Sequence, residues 1–339
     1  MKVGFTLDFR NPPAHRLPWK QLWDDNLFLL TEAERLGFDS LLVQEHFFTD
    51  DGYGPSMPVF LALLAERTTH ARIGSWIYVL PLHNPLQLAQ ETAVLDHLCG
   101  GRLDVGIGAG HRAQEYRTFN VSEKQRPSRM EEGIELLRRG WSGETIEHHG
   151  KYYDVTRLQV QPTPLQQPHP PLWVGATARP AFERAARHGL NVYAGGGDPA
   201  DHAAYWRVLE DSGFDPADHR VALALSITVT DEDPEEVWRR NEEHYVYRWD
   251  FYRRIRAELG DKDIVLGAQE GIAAGDVYRG NELIGTPETV LNTIAALKEQ
   301  LRFTDLVLLG PAAGIELRGE GLRGVERFAQ DVLPMLHKW

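Results

Sequence analysis

The chain reads as a single (β/α)8 barrel, carrying an excursion after its fourth strand and a long loop before its last. Eight short strand patterns are each followed by a helical stretch, the alternation that builds a parallel sheet. At 339 residues the length suits one large barrel with insertions. A composition of 42% hydrophobic and 25% charged residues is enough to fill its core.

Lys2–Leu7 is the first strand, closed by the turn-rich Asp8–Pro18. Trp19–Leu36 places Leu22, Leu27, Leu30, Ala33 and Leu36 at helical spacing, with Gly37 as a stop. Strand Ser40–Val43 precedes helix Pro58–Thr69, strand Ile73–Leu80 precedes helix Pro85–Leu98, and Leu103–Ile107 is the fourth strand. Residues 123–170 form the excursion: a helix over Ser128–Trp141, a strand pair within Gly143–Val155, and an extended proline-rich connection over Gln159–Pro171. The rhythm resumes with strands Leu172–Val174, Asn191–Ala194 and Val221–Val229, followed by helices Pro180–His188, Pro199–Ser212 and Pro234–Leu259. Gly260–Leu283 is irregular and expected to be mobile. Thr286 caps a helix reaching Leu297, Leu306–Leu309 is the eighth strand, and Leu322–Leu336 closes residues 1–339 as one domain.

A formal net charge of −13 argues against nucleic acid or anionic membrane as a partner, since both demand a basic face. The single cysteine, Cys99, excludes an internal disulfide and a cysteine-based zinc site. The amino terminus does not resemble a signal peptide, and no uncharged apolar run reaches the roughly 18 residues of a membrane helix. The expected setting is the cytoplasm.

Barrels bind ligands at the carboxyl ends of their strands. Strand two delivers Glu45 and His46 there, strand three Trp76 to Leu80, strand four Gly106, Gly108 and Gly110, and strand five Ala176 and Thr177. Glycines at a strand end either make a tight turn or admit a ligand where a Cβ would not fit. Imidazole titrates near neutral pH and suits proton transfer, with Glu45 placed either to orient the His46 ring or to accept a backbone hydrogen bond. Dinucleotide, phosphate-loop, nucleophile-elbow and zinc-protease motifs are absent. The adjacent His148 and His149 read as surface residues of the excursion.

The stretches GFDSLLVQEHF, ARIGSWIYVLPLHNPLQLAQETAVLDHLCGGRLDVGIGAG, RPSRMEEG, PPLWVGAT and IGTPETV resemble, in order, the bacterial luciferase-like flavin-dependent monooxygenase family. The resemblance implies a barrel binding FMN or, in some branches, the deazaflavin F420. It implies a reactive histidine at His46 beside Glu45, a cis peptide at Trp76–Ile77 pressing Ile77 against the flavin ring, and Gly108 next to the reactive carbon. Gly106 and Gly110 complete the floor beneath the ring. Arg129, the Ala176 backbone and the Thr177 hydroxyl match the phosphate-binding positions. Phe9, Phe47 and Trp76 are the implied substrate walls, for a small apolar or aromatic compound. Luciferase has a second histidine where Phe47 stands and an arginine where Ala109 stands, which counts against light emission and thins the phosphate site. The implied reaction takes reduced FMN from a separate reductase and O2, through a flavin peroxide adduct. The alternatives are hydride transfer with F420 and a non-catalytic flavin-binding relative. Apolar helices two and three match the family's homodimer face.

Overall fold

A computed structural model of the chain describes residues 1–54, 56–258 and 278–339. Its elements, in order, are β1 (Lys2–Thr6), α1 (Trp19–Arg35), β2 (Ser40–Val43), α2 (Met57–Arg67), β3 (Arg72–Ser75), β4 (Tyr78–Val79), α3 (Pro85–Leu98) and β5 (Leu103–Gly108). The second stretch holds α4 (Ala113–Thr118), α5 (Arg126–Ser142), β6 (Ile146–His149), β7 (Asp154–Leu158), β8 (Leu172–Ala176), α6 (Arg179–Arg187), β9 (Asn191–Ala194) and α7 (Pro199–Asp211). The last holds β10 (Val221–Val229), α8 (Pro234–Glu258), β11 (Glu282–Gly285), α9 (Pro287–Leu301), β12 (Asp305–Leu309), α10 (Leu322–Asp331) and α11 (Leu333–Leu336).

β1, β2, β3, β5, β8, β9, β10 and β12 pair in parallel in chain order, and β12 returns to β1 from Lys2↔Asp305 to Thr6↔Leu309. This is the closed eight-stranded barrel expected. Leu42, Trp173, Tyr193, Ala222 and Val307 fill its interior, with the Trp173 and Tyr193 rings stacked 4.4 Å apart. A larger apolar layer lies between strands and helices; Leu27, Leu30 and Ala33 of α1 are buried in it, as their spacing requires. At the amino ends of the strands, charges pair off around a cavity of about 370 Å³: Lys2 with Asp39, Arg72 with Asp104, and Arg220 with Asp305. Among the described residues, no helix is long and apolar enough to cross a membrane.

Four expectations change. The third strand is not continuous from Ile73 to Leu80: Gly74 faces Asp104 but Tyr78 faces Ile107, so Ser75–Ile77 holds one residue more than its partner. The Ser75 hydroxyl fills the gap, accepting from Gly106 N at 2.7 Å and donating to Gly106 O at 2.9 Å. Second, α5 belongs to the helical layer and not to the excursion. A Cβ on Gly140 would lie 2.6 Å from Ala89 Cβ on α3. The departure is confined to the antiparallel β6–β7 hairpin and the extended segment to Pro171. Third, of Gly260–Leu283, residues 260–277 lie outside the described residues, while Glu282 and Leu283 open β11, which pairs with β10 beyond the end of β9. Fourth, the closing helix breaks at Val332, since Pro334 cannot donate within a continuing helix.

Candidate active site

At the mouth, β2 ends at Val43 and the chain runs on without regular structure through Gln44–Phe47. Gly54, at φ +55°, turns back over it and accepts a hydrogen bond from His46 N at 3.2 Å. Glu45 and His46 part company, as their contacts show. Buried Glu45 accepts from Val79 N at 2.7 Å, and His83 Nε2 lies 3.0 Å from both of its oxygens. Although burial disfavours its charge, His83 titrates above the ordinary imidazole range because of the Glu45 carboxylate. Of the two roles open to Glu45, the backbone acceptor is the one the geometry realises; it does not orient His46.

The His46 ring, 9% exposed, sits in an aromatic nest: Tyr53 at 4.4 Å between centroids, Phe251 of α8 at 5.4 Å and His111 at 5.7 Å. Among the described residues its Nδ1 is buried without a hydrogen-bond partner, and the carboxylate oxygen Glu115 Oε1 stands 3.6 Å away. Glu115, on α4, also accepts from Phe47 N at 2.9 Å and pairs with Arg112 at 3.0 Å, while Arg112 donates to Phe47 O at 2.6 Å. Burial pushes the Glu115 carboxyl up, but His46, the Phe47 amide and Arg112 together hold it below the ordinary range. Glu115 and Arg112 thus hold both backbone polar groups of Phe47, and with them the loop that carries His46.

Beneath this lies a second buried set. Arg10 pairs with Asp8 through two contacts of 2.7 and 2.6 Å, and its guanidinium covers the rings of Tyr53, Tyr247 and Phe251 at 4.9–5.2 Å. Tyr53 hydrogen-bonds Gln44 and shares a 2.6 Å contact with Tyr252, and burial pushes its phenol well above the usual range. Arg248 bonds Ser226 Oγ and the Gly310 carbonyl and lies 3.7 Å from Glu282. Sequence reading missed Glu115, Arg112, Tyr53, Phe251 and Arg10. The Arg112–Glu115 spacing of three residues was the one local signal available.

The Trp76–Ile77 peptide is cis. Ile77 lies across the glycines: a Cβ on Gly108 would stand 2.5 Å from its Cδ1, and one on Gly175 3.1 Å from its Cγ1. A Cβ on Gly106 would meet the Ser75 carbonyl oxygen at 2.2 Å, and one on Gly110, at φ +64°, Val79 at 2.5 Å. The glycine run therefore makes room for the bulge, which presents Ile77 as an apolar ledge over the interior. Trp76 is half-buried, 6.5 Å from the Tyr193 ring. Phe47 meets exposed Phe119 and Phe48 in an aromatic rim. Phe9 departs from expectation: it is fully buried against Phe60 of α2, in the layer between barrel and helices, and not at the opening. Here its aromatic character reflects packing.

Near the start of α5, Arg129 donates to Gln125 at 3.2 Å and rests on Tyr152 at 4.6 Å. Arg126 donates to the Gly110 carbonyl at 3.3 Å. Among the described residues neither guanidinium pairs with a carboxylate. Ala176 is buried and Thr177 exposed at the end of β8. The site fits a phosphate-bearing cofactor: guanidinium groups near a helix start with no carboxylate partner among the described residues, an apolar ledge for a flat ring, and a buried imidazole.

Residues 1–305 match the family described as luciferase-like monooxygenase. The chain is 28% identical over 290 residues to the oxygenase component of flavin-dependent trigonelline monooxygenase from Acinetobacter baylyi, covering 82% of this chain and 80% of that one. Of two further relatives from Sinorhizobium fredii, both uncharacterised, the match spans about half the length (49% and 46%). Among solved structures, monooxygenase RslO1 from Streptomyces bottropensis superposes with a TM-score of 0.83 at 26% identity, covering 99% of both chains. The oxygenating constituent of 3,6-diketocamphane monooxygenase from Pseudomonas putida, solved with FMN, shares the fold with a TM-score of 0.80 at 20% identity and 98% coverage of both chains. The chain is an oxidoreductase of the luciferase-like monooxygenase family.

Proposed function

We propose that this chain is the oxygenase component of a two-component system, which uses reduced FMN from a separate reductase, with O2, to oxygenate a small apolar or aromatic substrate. The observation that carries the reading is His46: an almost fully buried imidazole at the barrel mouth whose Nδ1 has no hydrogen-bond partner among the described residues. Reduced FMN, when bound, supplies the electrons that activate oxygen. Arg129, the Ala176 amide and the Thr177 hydroxyl would hold its phosphate, with Arg126 adding a second positive charge. Trp76 and Ile77 would seat the ring, and Gly106, Gly108 and Gly110 would serve it by leaving room for the bulge that presents Ile77. His46 moves a proton at its ring nitrogen, and Glu115 stabilises the charged imidazole. Phe47, with Phe48 and Phe119, offers the substrate an apolar rim and keeps water out. A second copy docks on α2 and α3, where Val59, Val94 and Leu98 stand exposed.

Titrating the protein with FMN, reduced FMN and F420 under anaerobic conditions, followed by absorbance and fluorescence, tests the reading. Reduced FMN binds most tightly, and admitting O2 then consumes it. Tight binding of F420 without binding of reduced FMN would make the protein a hydride-transfer enzyme instead.

A further inference from the structure

Three segments on the outer side of the mouth bring together side chains that the flavin reading does not use: the turn Pro13–His15 after β1, the middle of α8, and the turn after β12. His15 Nε2 lies 3.1 Å from Glu243 Oε1, and His244 Nε2 lies 3.7 Å from the same oxygen. One ligand atom from each of the three residues falls within 4.8 Å of the others. Two ligands bound tetrahedrally to one zinc ion at its usual bond lengths are about 3.4 Å apart. The two short spacings bracket that value.

The histidines are also held for such a role. His244 Nδ1 is 3.0 Å from the Ala313 carbonyl oxygen. A carbonyl only accepts, so Nδ1 carries the proton and Nε2 turns its lone pair toward Glu243 and His15. An imidazole whose far nitrogen is fixed by a carbonyl is the arrangement that metal-ligating histidines adopt. Gly314, at φ +93°, abuts both rings: a Cβ there would lie 2.7 Å from His244 Nδ1 and 3.0 Å from His15 Cδ2. The ring centroids are 4.7 Å apart.

We propose that His15, Glu243 and His244 form a binding site for a divalent ion of the Zn2+ class, with water as the fourth ligand. Two imidazoles and one carboxylate suit this class, whereas Mg2+ and Ca2+ take oxygen ligands. Along α8, Tyr247, Arg248, Phe251 and Tyr252 follow His244 at helical spacing, on the same face. The ion therefore ties the turn after β1 to the helix that lays Phe251 against His46. This site stands apart from the flavin reading, and neither depends on the other.

Untagged, chelator-stripped protein is titrated with Zn2+ by calorimetry, and with Co2+ by visible absorption, where tetrahedral coordination gives intense bands. One equivalent binds, and His15→Ala and His244→Ala each weaken binding about 10- to 100-fold or more, the loss typical even of an outer-shell partner. His149→Ala, on the hairpin, binds like the unaltered protein. Circular dichroism verifies that each variant is folded, and Zn2+ raises the melting temperature of the unaltered chain but not of the two site variants. If the unaltered chain takes up no Zn2+, or if His15→Ala and His244→Ala bind as it does, the three residues are a hydrogen-bonded cluster only and the proposal falls.

Discussion

His46 Nδ1 and Glu115 Oε1 stand 3.6 Å apart, close enough for an ion pair yet too long for a hydrogen bond, and Glu115 spends its short contacts on Phe47 N and Arg112. The carboxylate thus positions the loop first and stabilises the imidazolium second. Replacing His46 by Ala removes the proton carrier, and turnover with reduced FMN drops by about 10²–10⁴-fold, the usual worth of a general acid–base group. Turnover within threefold of the unaltered enzyme would show that His46 carries no proton. Glu115→Gln keeps an acceptor for Phe47 and loses the charge, so its effect on turnover is smaller than that of His46→Ala.

His83 and Glu115 make opposite contributions to pH dependence. His83 titrates above the ordinary imidazole value because of Glu45. The stability that this pair contributes is complete below about pH 6.5, the unfolded value, and is lost as pH rises through the higher folded one. Glu115 titrates below its ordinary value. Its contribution is present above the unfolded carboxyl value and is lost as pH falls through the lower folded one. Melting temperatures across pH, for the unaltered chain against His83→Gln and Glu115→Gln, separate the two. The first difference shrinks toward alkaline pH and the second toward acid.

The glycine run offers a contrast within one strand. A methyl on Gly106 would meet the Ser75 carbonyl oxygen at 2.2 Å, whereas on Gly108 it meets the far end of the Ile77 side chain at 2.5 Å. Backbone cannot yield as a side-chain tip can. Gly106→Ala therefore destabilises by about 3 kcal/mol or more, at or beyond the upper end of ordinary overpacking, and Gly108→Ala by about 1 kcal/mol. Denaturant unfolding measures both. Equal losses would mean that the Ser75–Gly106 contact is not rigid.

How much of this was open to sequence reading follows from the range of each contact. The barrel was legible because strand and helix periods are local, and so was the arrival of His46 at the mouth, because β2 ends just before it. The division of labour between Glu45 and His46 was not, since it is set by partners distant in the chain, His83 for one and Glu115 and Phe251 for the other. Glu115 was hidden in a six-residue helix too short to show a period, and it meets His46 only through the closed barrel. Phe9 misled because an aromatic after a strand reads alike whether it faces a ligand or, as here, Phe60.

Arg129 tests the phosphate assignment. Its guanidinium rests on Tyr152 and has no carboxylate partner among the described residues. Arg129→Ala weakens reduced FMN binding by about 10- to 100-fold, the worth of a charge-assisted hydrogen bond of roughly 1.5–3 kcal/mol, and leaves binding of phosphate-free reduced riboflavin unchanged. A parallel loss with riboflavin would place Arg129 elsewhere.

The pairing of charges at the amino ends of the strands has a kinetic consequence. Lys2, Arg72 and Arg220 are each neutralised by an aspartate, so they project little field beyond the barrel. The chain as a whole carries a formal charge of −13. A dianion approaching from afar therefore meets net repulsion, and feels attraction only within about a Debye length, some 8–10 Å, of Arg126 and Arg129. Added salt then acts in two directions: it speeds the encounter by screening the long-range repulsion, and it hastens departure by weakening the close contact.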